Sequence, residues 1–441
     1  MTSKQSFTEW IADHAIRTES LDPRAPLDDL EPLGELIGDA RVVGIGESAH
    51  YVREFYLLRH RLLRFLVERC GFTVYAPEAP FTQARAIDAW IQGGPGTVAQ
   101  VAADGVAIDL GRCREFYDQL AWMRAHNRTA TQRLRLVGTD VPGSGGSPLP
   151  ALEAVAAYLR AADPDALALA EQAIDLVGRY HHPATFQALG HYATLDEAAQ
   201  DALTATLSWL LARMESMAAW QASQHRGCEH ATALWDLRGA WHLDHLHRDV
   251  AGRGLQVADA ARDTFMAESV LRLLEGGPPD LRVVVASHNV HLQKTPITGD
   301  GAFGHFPQGY HLAQALGEDY VAIAATSNHG RTAQIQPDPE HPRGFQIQDL
   351  ALPPVADRSV EAALATQAPL AIADLRAARP GVDDAESFGR LRMEGYFTDV
   401  PVFDAFDAVA AIAETSCTQQ ATAHPRSPDP APHTSSGAAR P

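Results

Sequence analysis

The sequence predicts an α/β protein with a mostly parallel central sheet, flanking helices and an inserted all-helical region that covers the cleft. Two observations predict this fold class. Short runs of apolar and β-branched residues alternate with longer runs of helical periodicity along most of the 441 residues, which is typical of strands joined by crossover helices. The short runs are continuously apolar rather than alternating, as expected where helices cover both faces of a parallel sheet.

Six strands are predicted in chain order. They cover 41–45, 73–76, 134–138, 281–287, 320–325 and, more weakly, 408–412. Between the first two, residues 51–69 carry Phe55, Leu58 and Leu62 at helical spacing, which predicts an amphipathic crossover helix. If the strands are parallel, their carboxyl ends meet at one edge of the sheet, where open α/β folds place their functional sites.

A Gly-, Pro- and Ser-rich break at 142–150 is followed by an Ala- and Leu-rich stretch, without a convincing strand, that is predicted to be helical. We therefore predict an α/β catalytic core over 1–145 and 258–415, with a helical insertion over 146–257. Residues 416–441 are rich in Pro, Ser and Ala and are predicted to form a disordered tail, because they cannot bury enough apolar surface.

Lys and Arg number 36 against 55 Asp and Glu, which gives a formal net charge of −19. This balance argues against a nucleic-acid-binding protein, which would carry basic patches. No run approaches the roughly 18 apolar residues of a membrane helix, and the amino terminus lacks the pattern of a signal peptide. The four cysteines show no C-x-x-C spacing. We expect a soluble, cytoplasmic protein without nucleic-acid or membrane partners, for which nothing requires more than a monomer.

The first predicted strand ends in residues 44–50, Gly-Ile-Gly-Glu-Ser-Ala-His, which contain a loose dinucleotide-binding pattern, G-x-G-x-x-A. Glu78 would be its ribose acid, but it lies about 30 residues beyond the glycines rather than about 20, and Glu47 would repel a pyrophosphate. We prefer the interpretation that the glycines allow a sharp turn that presents side chains. The motifs G-x-S-x-G, the P-loop and H-E-x-x-H are absent.

Two sets of polar residues follow the predicted strands. Glu47 and His50 are three positions apart, so they share a face of a helical turn, and Arg59 follows in the same helix. Glu78 comes directly after the second strand, which brings its carboxylate to the same edge of the sheet.

His288 and His291 follow the fourth strand, again three positions apart. Arg262 opens the preceding helix, and Asp140 follows the third strand. The histidine pair suits metal ligation if the first two strands supply a third ligand, acid/base catalysis, or a loop without a chemical role. All three interpretations remain open from the residues alone.

The insertion has its own polar cluster, formed by His242, His245 and His247 with Asp244. The spacing allows a metal site, but the Trp and Leu residues between them favour a packed helix with partly solvated histidines.

Several segments resemble the erythromycin esterase family, with the closest likeness to the type I macrolide esterases. The segments are 44–50 followed by Glu54 and Phe55, then 288–296, 307–312 and 406–408, within a similarity that runs from about 29 to 412. One departure is Val290, where the relatives carry a polar residue.

The resemblance implies a metal-independent hydrolase without a cofactor, which opens the macrolactone of 14-membered macrolide antibiotics and gives resistance to them. His50 matches the histidine regarded as the general base. The other positions that match functional residues, or fall in a matching segment, are Glu47, Arg59, Glu78, His288, His291 and Arg262. Because these macrolides carry a protonated amino sugar, the acidic net charge would attract them.

The expected mechanism is hydrolysis by water that His50 deprotonates. Glu78, in preference to Glu47, is expected to orient the imidazole. The residues expected to polarise the lactone carbonyl or bind the substrate and oxyanion are His288, Arg262, Arg59 and His291. The alternatives are a family hydrolase of another ester, a metal-assisted hydrolase, and a macrolide-binding protein without turnover.

Overall fold

The computed structural model describes residues 4–106, 108, 110–253, 259–297, 304–365 and 368–419, and within these ranges nine strands form one sheet and two more form a separate hairpin. The strands are β1 (Ile16–Thr18), β2 (Val42–Ile45), β3 (Val74–Pro77), β4 (Arg135–Leu136), β5 (Val283–Ala286), β6 (Tyr320–Pro337), β7 (Phe345–Ala351), β8 (Leu370–Asp374), β9 (Arg390–Met393), β10 (Tyr396–Asp399) and β11 (Ala408–Thr415).

The order across the sheet is β1-β8-β11-β6-β2-β5-β3-β4, and β7 pairs with the outer part of β6. Neighbouring strands from β11 to β4 are parallel, whereas β1, β8 and β7 pair in the antiparallel direction. The predicted fold class, with a mostly parallel sheet and a helical region over the cleft, is confirmed.

All six predicted strands are present, with two differences in length. The third shortens to β4, where the Asp88 carboxylate, rather than a neighbouring strand, accepts the Leu136 N–H at 2.9 Å. The fifth extends to Pro337, because its outer half leaves the parallel sheet and pairs with β7 as a hairpin. The strands that the sequence did not predict, β1, β7, β8, β9 and β10, all pair in the antiparallel direction.

The helices are α1 (Phe7–His14), α2 (Leu33–Ile37), α3 (Arg53–Cys70), α4 (Phe81–Ile91), α5 (Val98–Gly105), α6 (Arg114–His126), α7 (Leu149–Ala162), α8 (Leu167–Gly178), α9 (Thr185–Tyr192), α10 (Glu197–Ser223), α11 (Gly227–Arg253), α12 (Asp259–Gly276), α13 (Asn289–Leu292), α14 (Gln308–Leu316), α15 (Val360–Ala363), α16 (Leu375–Ala378) and α17 (Val402–Ala405). None of the helices in the described ranges is both long and apolar enough to cross a membrane.

Helices α7 to α11 follow one another without an intervening strand in the described ranges. They share a buried apolar core of their own, which includes Leu152, Tyr192, Leu207 and Leu237. The predicted boundaries of the insertion at 146 and 257 stay a prediction, and residue 257 lies outside the described residues. Most of the predicted disordered tail, from 420 to 441, also lies outside them.

Candidate active site

The carboxyl ends of four adjacent strands, β2, β5, β3 and β4, bring the predicted polar residues together. Glu47 follows β2, Glu78 follows β3, and Asp140 lies beyond β4. His288 follows β5 as the N-cap of α13, which carries His291. The convergence that parallel strands implied is therefore present.

His50 is held by Glu47. Its Nδ1 lies 2.8 Å from Glu47 Oε1, and Arg59 donates from Nη2 to the other carboxylate oxygen. Burial lowers the pKa of His50, but the hydrogen bond and the negative charge of Glu47 outweigh it, so the pKa is raised. Burial likewise raises the pKa of Glu47, and the Arg59 charge reverses this, so the carboxylate stays ionised.

The expectation that Glu78 orients His50 is wrong in this structure. Glu78 Oε1 accepts from Arg262 Nη2 at 2.8 Å, and Oε2 accepts from Ser287 Oγ at 2.8 Å and from the backbone N–H of His288 at 2.9 Å. These three donors take both oxygens, whereas Glu47 lies in the same short turn as His50. Glu78 positions Arg262 and the start of α13 instead.

Arg262 is fixed by two carboxylates. Its Nε and Nη2 each donate to Asp140 at 2.9 Å, and Nη2 also donates to Glu78. Its Nη1 lies 3.3 Å from Nε2 of His291. Arg262 therefore reaches the cleft as a positioned cation, as predicted for a group that binds the substrate or the oxyanion.

His291 is the second cation of the site. Its Nδ1 lies 2.7 Å from Asp263 Oδ1, and its Nε2 lies 3.6 Å from Glu78 Oε1. Burial lowers its pKa, but the charges of Asp263 and Glu78 raise it to about 9. The sequence contains Asp263 directly after Arg262, yet nothing in the spacing showed that it would pair with His291.

His288 does not present a free donor to the cleft, contrary to its expected role at the carbonyl. Its Nδ1 accepts the Val290 backbone N–H at 3.3 Å, so the proton is on Nε2, which donates to the Ser48 carbonyl at 3.0 Å. Burial and the charge of His50 lower its pKa to about 4, which keeps the ring neutral. His288 thus joins α13 to the turn that carries His50.

Arg59 also differs from its expected role in binding substrate or oxyanion. Its side chain is buried, contacts Glu47 and packs over the Tyr56 ring at 5.4 Å, and it does not line the cleft described below. It stands on the far side of Glu47 from the substrate space, so we assign it to holding that carboxylate.

Two cavities meet at His50. A cleft of about 380 Å³ is lined by His50, Glu78, Arg262 and His291, with Phe186, Leu189, Leu246 and Val250 from the helical region. A smaller cavity of about 20 Å³, large enough for one water molecule, lies among His50, Glu47, Arg59 and Glu78. A larger groove of about 1020 Å³ between α3 and α6 contains none of these site residues.

The weaker interpretations of the sequence find structural explanations. A Cβ on Gly46 would lie 2.0 Å from Asn289 Oδ1, so this glycine allows close packing of Asn289 rather than pyrophosphate binding. In the insertion cluster, His242 and His247 donate to the carbonyls of Ala261 and Gly145. Within the ranges that the structure describes, no group of three or more His, Cys, Asp or Glu is arranged to hold a metal ion.

Comparison with known proteins gives a consistent result. A family model described as erythromycin esterase matches residues 67–415. An erythromycin esterase type II from Escherichia coli is 34% identical over 369 residues, which span 81% of this chain and 86% of that protein. An erythromycin esterase type I from Escherichia coli is 26% identical over 340 residues, which span 76% and 82%. By these identities the chain is more similar to the type II enzyme, the reverse of the order expected from the motifs.

Two solved structures share the fold. A mutant of the erythromycin esterase EreC in its open conformation matches with a TM-score of 0.81 at 24% identity, covering 92% of this chain and 98% of that one. A protein from Bacillus cereus matches with a TM-score of 0.74 at 22% identity, covering 94% and 98%. The sheet and helices described above are therefore an architecture found in other proteins.

Proposed function

This chain belongs to the erythromycin esterase family and is an ester hydrolase, and we propose that it opens the macrolactone ring of 14-membered macrolide antibiotics and so confers resistance to them. The observation that carries the proposal is the pairing of His50 with Glu47 at the point where a cleft meets a water-sized cavity. The reactants are a macrolide and water, and the protein acts as a monomer without a metal ion.

His50 is the general base. Because the Glu47 carboxylate accepts the Nδ1 proton, Nε2 carries the lone pair that takes a proton from water. The raised pKa of His50 strengthens it as a base. The small cavity offers a place for that water beside polar side chains, which is the environment an ordered water needs.

The water oxygen then adds to the lactone carbonyl carbon. The cations that line the cleft, Arg262 and His291, stabilise the oxyanion, and such groups contribute about 3 kcal/mol each. The bond from the carbonyl carbon to the ring oxygen breaks, and protonated His50 returns its proton to the leaving alkoxide. The products are an alcohol and a carboxylic acid in one opened chain, and no covalent bond to the protein forms.

The helical region supplies the apolar part of the cleft. Phe186, Leu189, Leu246 and Val250 face the space that the charged groups line from the sheet side. A pocket with apolar walls and a few placed polar groups is typical of sites for small molecules. A macrolide has the same division, with an apolar ring around a polar ester.

The test is mass spectrometry of erythromycin incubated with the purified protein, with and without EDTA. The proposal predicts a product heavier by one water at the same rate in both samples. Unchanged erythromycin that co-purifies with the protein would indicate a binding protein without turnover. Hydrolysis that EDTA abolishes would show that the reaction needs a metal ion.

A further inference from the structure

Glu394 is a carboxylate of the cleft that the mechanism above does not use. It lies in the tight turn between β9 and β10, in the left-handed region with φ +51°, where a residue other than glycine is strained. Its backbone N–H donates to the Ser48 carbonyl at 2.7 Å, the same oxygen that accepts from His288. The turn is thereby attached to the segment that carries His50.

The Glu394 side chain differs from the other site carboxylates in its partners. Glu47 has Arg59, and Glu78 has Arg262. Glu394 is partly buried and lines the same cleft, where it accepts a hydrogen bond from the Gln334 side chain. In the part of the chain that the structure describes, His50 is the single cationic group that acts on its pKa, which burial raises.

A partly buried carboxylate without a bound cation is costly unless a ligand supplies the cation. The cations of the cleft are already engaged, since Arg262 contacts Asp140 and Glu78, and His291 contacts Asp263. Glu394 therefore remains available to a positive charge that enters from outside.

We propose that Glu394 binds the protonated amine of the substrate and makes the enzyme selective for macrolide esters that carry a cationic amino group. This inference rests on the proposed function, because it assigns one feature of that substrate to one side chain. A cation at this position lies in the same cleft as the ester carbonyl, so the contact orients the ring as well as binding it.

The test compares the wild type with Glu394→Gln on two substrates. One is erythromycin, and the other is its derivative in which an acetyl group replaces one N-methyl group, so that the nitrogen is an uncharged amide. We expect the substitution to raise KM for erythromycin about tenfold with little change in kcat, as for the loss of one partly desolvated charge pair. KM for the amide should be equal in the two proteins.

Two further variants complete the experiment. Glu394→Asp retains the charge and should recover part of the preference for the amine. Glu386→Gln removes a carboxylate whose side chain is 89% exposed, and it should behave as the wild type.

Several outcomes would overturn the inference. They are an unchanged KM for erythromycin, an equal rise in KM for both substrates, or a fall in kcat on both, which would place Glu394 in the chemical step. A wild type that hydrolyses erythromycin in each of these cases keeps the proposed function intact. A wild type that hydrolyses neither substrate refutes the proposed function and, with it, the inference.

Discussion

At the scale of single residues, Glu47 determines how His50 behaves. The two were predicted to share a face because three positions separate them, and the structure shows the resulting contact. The role of Glu78 could not be predicted in the same way, because its partners Arg262 and His288 come from segments about 200 residues away. Local spacing identifies a neighbour within one turn, whereas choosing among carboxylates across a sheet edge requires three-dimensional distances.

The pH dependence of the reaction tests this assignment through Glu47→Gln. Loss of the negative charge removes the main cause that raises the pKa of His50, so the rise of kcat/KM with pH should shift to lower pH. The plateau of kcat should fall about a hundredfold, because the imidazole loses its charged orienting partner. Measured rate profiles of the wild type and Glu153→Gln, an exposed control on α7, should coincide. A profile of Glu47→Gln that keeps the wild-type pKa would contradict the pairing.

At the scale of elements, continuous apolar runs were sufficient for the central parallel strands. The strands that were not predicted are short or pair at the outside of the sheet, where one side lacks a neighbour and composition is less restricted. The hairpin of β9 and β10 was missed for this reason, and Glu394 in its turn was missed with it. A Glu-Gly turn in a sequence carries no sign that its carboxylate faces a cleft.

Helices α12 and α13 are joined by the ion pair of Asp263 and His291, which predicts a pH-dependent stability. The pKa of His291 is raised to about 9 by Asp263 and Glu78 against the effect of burial, compared with about 6.5 in the unfolded chain. A raised pKa stabilises the folded state fully below pH of about 6.5, and this stabilisation is lost as the pH rises to about 9. The free energy of unfolding should therefore fall by roughly 3 kcal/mol across this window.

Urea unfolding at both ends of the window measures this effect. His291→Gln should lose much less stability than the wild type between the two pH values, and His191→Gln, which alters an exposed histidine, should follow the wild type. Equal losses in the wild type and His291→Gln would show that the ion pair does not hold the two helices.

At the scale of the whole molecule, the net charge of −19 excluded a class of partners but did not locate any site. The structure shows four buried carboxylates at one edge of the sheet, Glu47, Glu78, Asp140 and Asp263, and places Arg or His side chains beside each of them. Of the twenty histidines, only a few enter this network. Their selection came from their positions after strands, which the fold turns into proximity.

His50→Ala tests the central claim most directly. The His50 side chain is 16% exposed on the cleft, and Glu47 keeps Arg59 when the imidazole is removed, so the thermal melting temperature should stay close to that of the wild type. Without its general base, the folded variant should hydrolyse erythromycin about 10³-fold more slowly, as measured by the water-added product in mass spectrometry. A folded His50→Ala protein that turns over erythromycin at nearly the wild-type rate would contradict the mechanism.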